Sequence, residues 1–253
     1  MIIKIPRRFF MHSSLKLLSV ELCTLTRREL LELLCRRIEK RAQTSVFTPN
    51  TQMLLSAHES EDIRCLLATS TLNIPDGVGV RIAARLRGVR LESMSGIDLG
   101  EALLSVAARE GYRLFFLGAE RGIAKQAAEN MRARHPDLHI CGAHHGYFDK
   151  RGKENAAVLR KIRAAAPDIL FVCLGFPAQE RWIAENLSSL PSVKLAIGLG
   201  GSFDVWSGKI RRAPRVFQKI GLEWLWRTVL EPRRARIFVD IPKFLFLNIK
   251  KAD

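Results

Sequence analysis

Four stretches of this chain place polar or acidic side chains directly after short apolar runs, where a strand would hand over to a helix. Gly118-Ala-Glu-Arg-Gly122 follows the run at 113–117, and its glycines let backbone N–H groups approach an anion at a helix N-terminus. Gly175-Phe-Pro-Ala-Gln-Glu180 follows 168–174, with Pro177 suited to a helix start and Gln179 and Glu180 in the first turn. There they face a ligand or simply initiate the helix. Gly198-Leu-Gly-Gly-Ser-Phe-Asp204 closes the run at 193–199, and Asp204 either accepts hydrogen bonds from a base or sugar or caps the next turn. A fourth run, Ser45-Val-Phe-Thr48, ends at Pro49-Asn50. Asp76, within Ile-Pro-Asp-Gly, is a lone acid on a loop for which turn chemistry is the ordinary explanation.

Other chemistries are not written here. The chain has no GxSxG, no Walker A sequence and no paired Cys/His spacing, and His144-His145 stands without partners for a metal. DxD, the usual holder of a divalent ion on a nucleotide diphosphate, is also missing. Neither a metal nor another cofactor is expected.

Positive charge is the strongest feature of the composition. Forty-one Lys and Arg against 25 Asp and Glu give +16, which implies an anionic partner. From Lys209 to Lys251 the chain carries twelve basic residues and three acids, interleaved with aromatics. Arg211, Arg212, Arg215 and the arginines through Arg236 could grip a diphosphate with bidentate guanidinium groups. Alternatively, the segment could lie on anionic lipid with Phe238, Phe244, Leu245 and Phe246 in the interface. A nucleic-acid surface is the competing use of the same charge. The five scattered cysteines read as buried free thiols of a reducing cytosol. No run of about 18 apolar residues is present, so no spanning helix is expected, and residues 1–18 lack a secretory pattern.

The elements that must position these residues read as alternating strands and helices. The runs at 113–117, 168–174 and 193–199 are apolar on both faces, and helical patterns lie at 122–134, 153–166 and 178–187. Further helical patterns follow Asp76 and Gly96. The expected fold is α/β, a Rossmann-like parallel sheet flanked by helices, with ligands at the carboxyl ends of the strands. Thr48, Gly118, Gly175, Gly200 and Gly201 should gather on that edge. After Pro214 the strand signal ends, and 216–229 and 237–249 read as a helical appendage. The expected division is a catalytic core at 1–210 and a basic amphipathic appendage at 211–253.

Taken in order, these segments resemble the WecG/TagA/CpsF glycosyltransferases. The resemblance runs from Val46 to Arg236 through Thr48-Pro-Asn50, Ile74-Pro-Asp-Gly-Val-Gly79, Gly96-Ile-Asp-Leu99, Gly146-Tyr-Phe148 and Leu174-Gly-Phe-Pro-Ala-Gln-Glu180. It continues through the 198–204 motif, Arg212-Ala-Pro214, Gly221-Leu-Glu-Trp224 and Glu231-Pro-Arg-Arg234. It implies metal-independent, inverting transfer from a UDP-sugar to an undecaprenyl-diphosphate-linked saccharide, at the cytoplasmic face of the membrane, in cell-surface or exopolysaccharide synthesis. The family's catalytic base falls on Asp76, its Thr/Asn motif on Thr48 and Asn50, its motif glutamine on Gln179 and its nucleotide-side acid on Asp204. Its diphosphate-recognising arginines fall on Arg227 and Arg234, with Arg236 beside them. The resemblance implies no nucleic-acid partner, and the apolar tail allows self-association. Two departures remove positive charge: Ala178 stands at a Lys position, and Glu92-Ser-Met-Ser95 replaces an Arg-containing stretch. A nucleotide-binding protein without catalysis is the alternative they leave open.

Overall fold

The computed structural model describes residues 14–220, 222–230 and 235–250. An antiparallel hairpin of β1 (Ser14–Leu17) and β2 (Val20–Cys23) leads into α1 (Arg27–Glu39). Thr26 starts α1 with a reciprocal cap, accepting from the Glu29 N–H while the Glu29 carboxylate accepts from the Thr26 N–H. Six strands then form one sheet: β3 (Thr44–Phe47), β4 (Leu72–Asn73), β5 (Arg113–Gly118), β6 (His139–His144), β7 (Ile169–Cys173) and β8 (Leu195–Gly198). Their order is β4-β3-β8-β7-β5-β6, and every neighbouring pair is parallel.

The connections carry the helices. α2 (Thr51–Glu59) and α3 (Glu61–Ala68) join β3 to β4, and α4 (Val78–Leu86) and α5 (Gly96–Glu110) join β4 to β5. α6 (Ile123–Arg134), α7 (Gly152–Ala165) and α8 (Ala178–Asn186) follow β5, β6 and β7. Beyond β8 come α9 (Ser202–Trp206), α10 (Arg215–Ile220), α11 (Glu223–Leu230) and α12 (Ile237–Lys250).

Side-chain alternation along β5 shows how the sheet is buried on both faces. Leu114 and Phe116 join α1, α5, α6 and α9 in one core, where Phe116 stacks on Phe203 at 4.7 Å between ring centroids. Phe115 and Leu117 join the hairpin, α2, α3, α4, α7, α8 and α12 in the other. The chain leaves β5 outward to β6 and returns on its opposite side as β7, so a crevice opens outside the strand ends.

Several expectations need correction. β6 and the two-residue β4 were not expected, nor was the N-terminal hairpin. The helical stretch at 216–229 is two helices, α10 and α11. Of the cysteines only Cys173 is buried; Cys65 is exposed and the other three are partly covered, although all five are free. Phe244, assigned to a lipid interface, is fully buried and holds α12 against the core. Burial of such a ring stabilises by roughly 2–3 kcal/mol.

Candidate active site

The residues that follow β5, β6, β7 and β8 enclose a cavity of about 750 Å³. Gly175, Gly200, Gly201 and Asp204 line it, together with Glu120, Tyr147, Lys150 and Lys209. The floor is tight. Gly118 has φ +139°, and a Cβ there would lie 2.2 Å from the Cys173 carbonyl oxygen, so only glycine lets β5 turn so close to β7. The turn is then laced to its neighbours: the Ala119 N–H donates to the Cys173 carbonyl and the Gly146 N–H to the Ala119 carbonyl. Lys209 spans the cavity side, with Nζ 2.7 Å from Glu120 Oε1 and 3.8 Å from Asp204 Oδ1. Gly122 and Pro177 start α6 and α8 without a side-chain cap, although the Ile123 and Gln179 N–H groups already donate to the carbonyls of Glu120 and Gly175.

A second group of polar residues lies over β3, β4 and β8. Asp76 Oδ2 accepts the Gly96 N–H at 3.2 Å, at the start of α5, where aligned peptide dipoles favour negative charge. Thr48 is buried; its Oγ1 donates to the Gly198 carbonyl and packs on Gly96 closely enough to stand 3.1 Å from a Cβ built there. Gln179 reaches the same turn from α8, accepting the Gly200 N–H at 3.0 Å. Asp76, Gly96, Thr48, Gly198, Gln179 and Gly200 thus form one continuous chain of contacts along the strand edge, ending at the cavity.

The other expected residues have different surroundings. Asn50 caps α2, its Oδ1 accepting from the Met53 N–H. Glu180 is fully buried and lies beneath the site, not on its wall, with Oε1 accepting from Gln179 Nε2 at 2.7 Å. Burial pushes its carboxyl up to about 7. Arg212 is surrounded by Asp98, Glu101 and Glu223, which ties the segment after α9 to α5 and α11. Burial opposes ionisation of Asp98, but the Ser95 hydroxyl and the Arg212 guanidinium outweigh it and hold the carboxyl below its ordinary value. Arg236 is exposed, with Nε 3.6 Å from Asp240. Arg227 is in α11 but its side chain lies outside the described residues, and so does Arg234.

Lys209 and Lys150 were not singled out as site residues, and Tyr147 only as part of a motif. The signal for Tyr147 was available: an aromatic beside Gly146, in the loop that follows β6. Among the described residues no three His, Cys, Asp or Glu side chains are grouped to hold a metal ion. The stretch at 92–95 is structural in part: Ser95 caps α5 in a reciprocal bond with Asp98, Met94 is in the core, and Glu92 accepts the Arg27 N–H.

A doubly covered parallel sheet with a glycine-lined cavity at its carboxyl edge is the arrangement in which open α/β folds bind their ligands. Residues 15–252 match the Glycosyl transferase WecG/TagA/CpsF family, and the chain belongs to it. It is similar to the N-acetylglucosaminyldiphosphoundecaprenol N-acetyl-beta-D-mannosaminyltransferase of Bacillus subtilis (strain 168), 34% identical over 215 residues that cover 85% of this chain and 82% of that one. The enzyme of the same name from Bacillus spizizenii is 35% identical, covering 81% and 78%. That of Staphylococcus aureus (strain MRSA252) is 31% identical, covering 82% and 80%.

Proposed function

We propose that the protein transfers a sugar from a UDP-sugar to a saccharide carried on undecaprenyl diphosphate, with Asp76 as general base. The carrying observation is the contact chain from Asp76 to Gly200, which couples an acid over β4 to the cavity over β5–β8. The cavity suits a uridine nucleotide: exposed Tyr147 offers a ring face to the base, and Asp204 accepts from ribose or base. The diphosphate then meets the uncapped N-termini of α6 and α8.

Chemistry follows as a single displacement. Asp76 takes the proton of the acceptor hydroxyl as that oxygen attacks the anomeric carbon, the bond to UDP breaks, and configuration inverts. Negative charge builds on the departing diphosphate and must be met by fixed donors. Arg227, Arg234 and Arg236 are assigned there. Arg212 is instead assigned to hold the appendage, because three carboxylates already surround it.

An acceptor anchored in lipid requires the site to reach a bilayer. No described helix is long and apolar enough to cross one. Apart from Tyr147, the exposed large apolar side chains among the described residues lie on α4 (Ile82, Leu86) and α10–α12 (Val216, Val229, Phe238, Val239, Phe246, Ile249). α4 and α12 lie alongside each other: a Cβ at Gly79 would stand 3.5 Å from Ile241, and Arg87 donates to the Asn248 carbonyl at 2.9 Å. These two contacts run in the same chain direction. Exposed Arg85, Arg90, Arg236 and Lys243 accompany this face and suit anionic headgroups. Asp76 stands just before α4, so peripheral docking of that face would bring the base to the lipid surface.

The test is UDP release from a panel of UDP-sugars, with and without a short-chain polyprenyl-diphosphate saccharide, in EDTA. Acceptor-dependent release from one donor is expected. UDP binding with no transfer from any donor would support the non-catalytic alternative.

A further inference from the structure

We propose that Glu180 is a positioning residue of the transfer reaction, locking the Gln179 amide so that the turn at 198–201 keeps the shape the nucleotide meets. The inference rests on the transferase reading above but concerns a group buried outside the cavity.

The geometry admits one amide orientation. Gln179 Nε2 donates to Glu180 Oε1 at 2.7 Å, while its Oε1 accepts the Gly200 N–H at 3.0 Å. Rotating the amide by half a turn would oppose two donors at Gly200 and, while Glu180 is ionised, two acceptors at Glu180. The fit is close as well, because a Cβ at Gly198 would stand 2.9 Å from Gln179 Nε2. Gly200 and Gly201 line the cavity, and the Gln179 N–H is bonded to the carbonyl of Gly175, another lining residue. Gln179 therefore meets both glycine turns, that at Gly175 through its main chain and that at Gly200 through its side chain, and Glu180 sets the side chain.

The arrangement is unfavourable for stability. Glu180 is fully buried, and its Oε2 makes no hydrogen bond to any described residue. A buried carboxyl with a lone oxygen costs free energy that an apolar side chain of similar size would not. The Gln179 amide and the main chain of Glu180 itself offset the burial only in part. α8 packs on β3, β7, β8 and α3. The three strands bring only the Cys173 thiol, raised by its own burial. α3 brings Glu61, Asp62, Arg64 and Cys65, with Arg64 paired to Glu61, and Asp62 paired to Arg181 of α8; Glu185 is the remaining acid of α8. A costly group retained directly behind the site points to a role in the site.

Full-length Glu180→Met and Glu180→Gln variants separate positioning from mere packing, with UDP itself as probe. In E180M the melting temperature should equal or exceed that of the wild type, while UDP affinity falls about tenfold and kcat/KM by at least as much. E180Q keeps an acceptor for Gln179 and should bind UDP within threefold of wild type at pH 7. The ratio of wild-type to E180Q affinity should change between pH 6 and 8, a comparison that cancels the ionisation of UDP. Wild-type affinity in E180M would overturn the proposal, as would losses that merely track a lowered melting temperature. If E180M does not fold, wild-type UDP affinity in a folded Glu180→Ala variant overturns it. A wild type that binds UDP but transfers no sugar would strike the transferase reading alone, since the UDP comparisons still decide this one.

Discussion

Asp76 Oδ2 and the Gly96 N–H stand 3.2 Å apart, joining the loop after β4 to the first residue of α5. The bond fixes one carboxylate oxygen and favours negative charge at that point. The same helix start holds Asp98, which engages Arg212, so the proposed base and the segment after α9 are both anchored to α5.

Arg212 should therefore matter for stability before chemistry. R212A leaves Asp98, Glu101 and Glu223 without their shared cation, partly out of water. A loss of about 1–3 kcal/mol is expected, read from urea unfolding of the full chain. The loss should shrink in acid strong enough to protonate Asp98, whose carboxyl is held below its ordinary value.

Glu180 predicts an unusual pH dependence of stability. Its folded carboxyl is raised from 4.5 to about 7, so the folded state holds the proton more tightly. That contribution is fully present below 4.5 and is lost as pH rises through 7. Melting temperatures of wild type and E180Q should thus diverge between pH 5 and 7.5, with the wild type losing ground as pH rises.

How much of this was legible in the sequence follows from burial. β5, β7 and β8 lie inside the sheet and are apolar on both faces, so their residues announce them. β6 is an edge strand with exposed His139 and Ala143, and its sequence, HICGAH, carries no continuous apolar run. β4 is two residues at the sheet edge, with β3 as its strand partner. The gathering of Thr48, Gly118, Gly175 and Gly200-Gly201 at one edge follows from strand ends and parallel topology, and was readable. The inward turn of Glu180 was not: an acid in the first turn of a helix ordinarily faces water, and only the packing of α8 on β8 encloses it. Nor does sequence bring Arg212 to Asp98 and Glu101, more than a hundred residues away.

The proposed docking face draws on α4 and on α12. Ile82→Ser with Leu86→Ser should reduce sedimentation with anionic-lipid vesicles severalfold, and Phe238→Ser with Phe246→Ser should do likewise. Each pair should leave UDP affinity unchanged. Vesicle binding unaffected by both pairs would remove this face from the account.

Asp204 should act on the nucleotide. D204A is expected to weaken UDP binding about tenfold by calorimetry, the scale of one lost hydrogen bond to a partly buried carboxylate. Its melting temperature should stay close to that of the wild type, because Asp204 is only partly covered. Unchanged UDP affinity would place the nucleotide elsewhere.

The most direct measurement is the turnover number of Asp76→Asn with its preferred donor and a lipid-linked acceptor, in enzyme shown by calorimetry to bind UDP normally. Loss of the base with the Gly96 contact retained should lower kcat by about 10²–10⁴-fold. Near wild-type turnover with normal UDP binding would contradict the account, because the proton of the acceptor hydroxyl would then leave by another group.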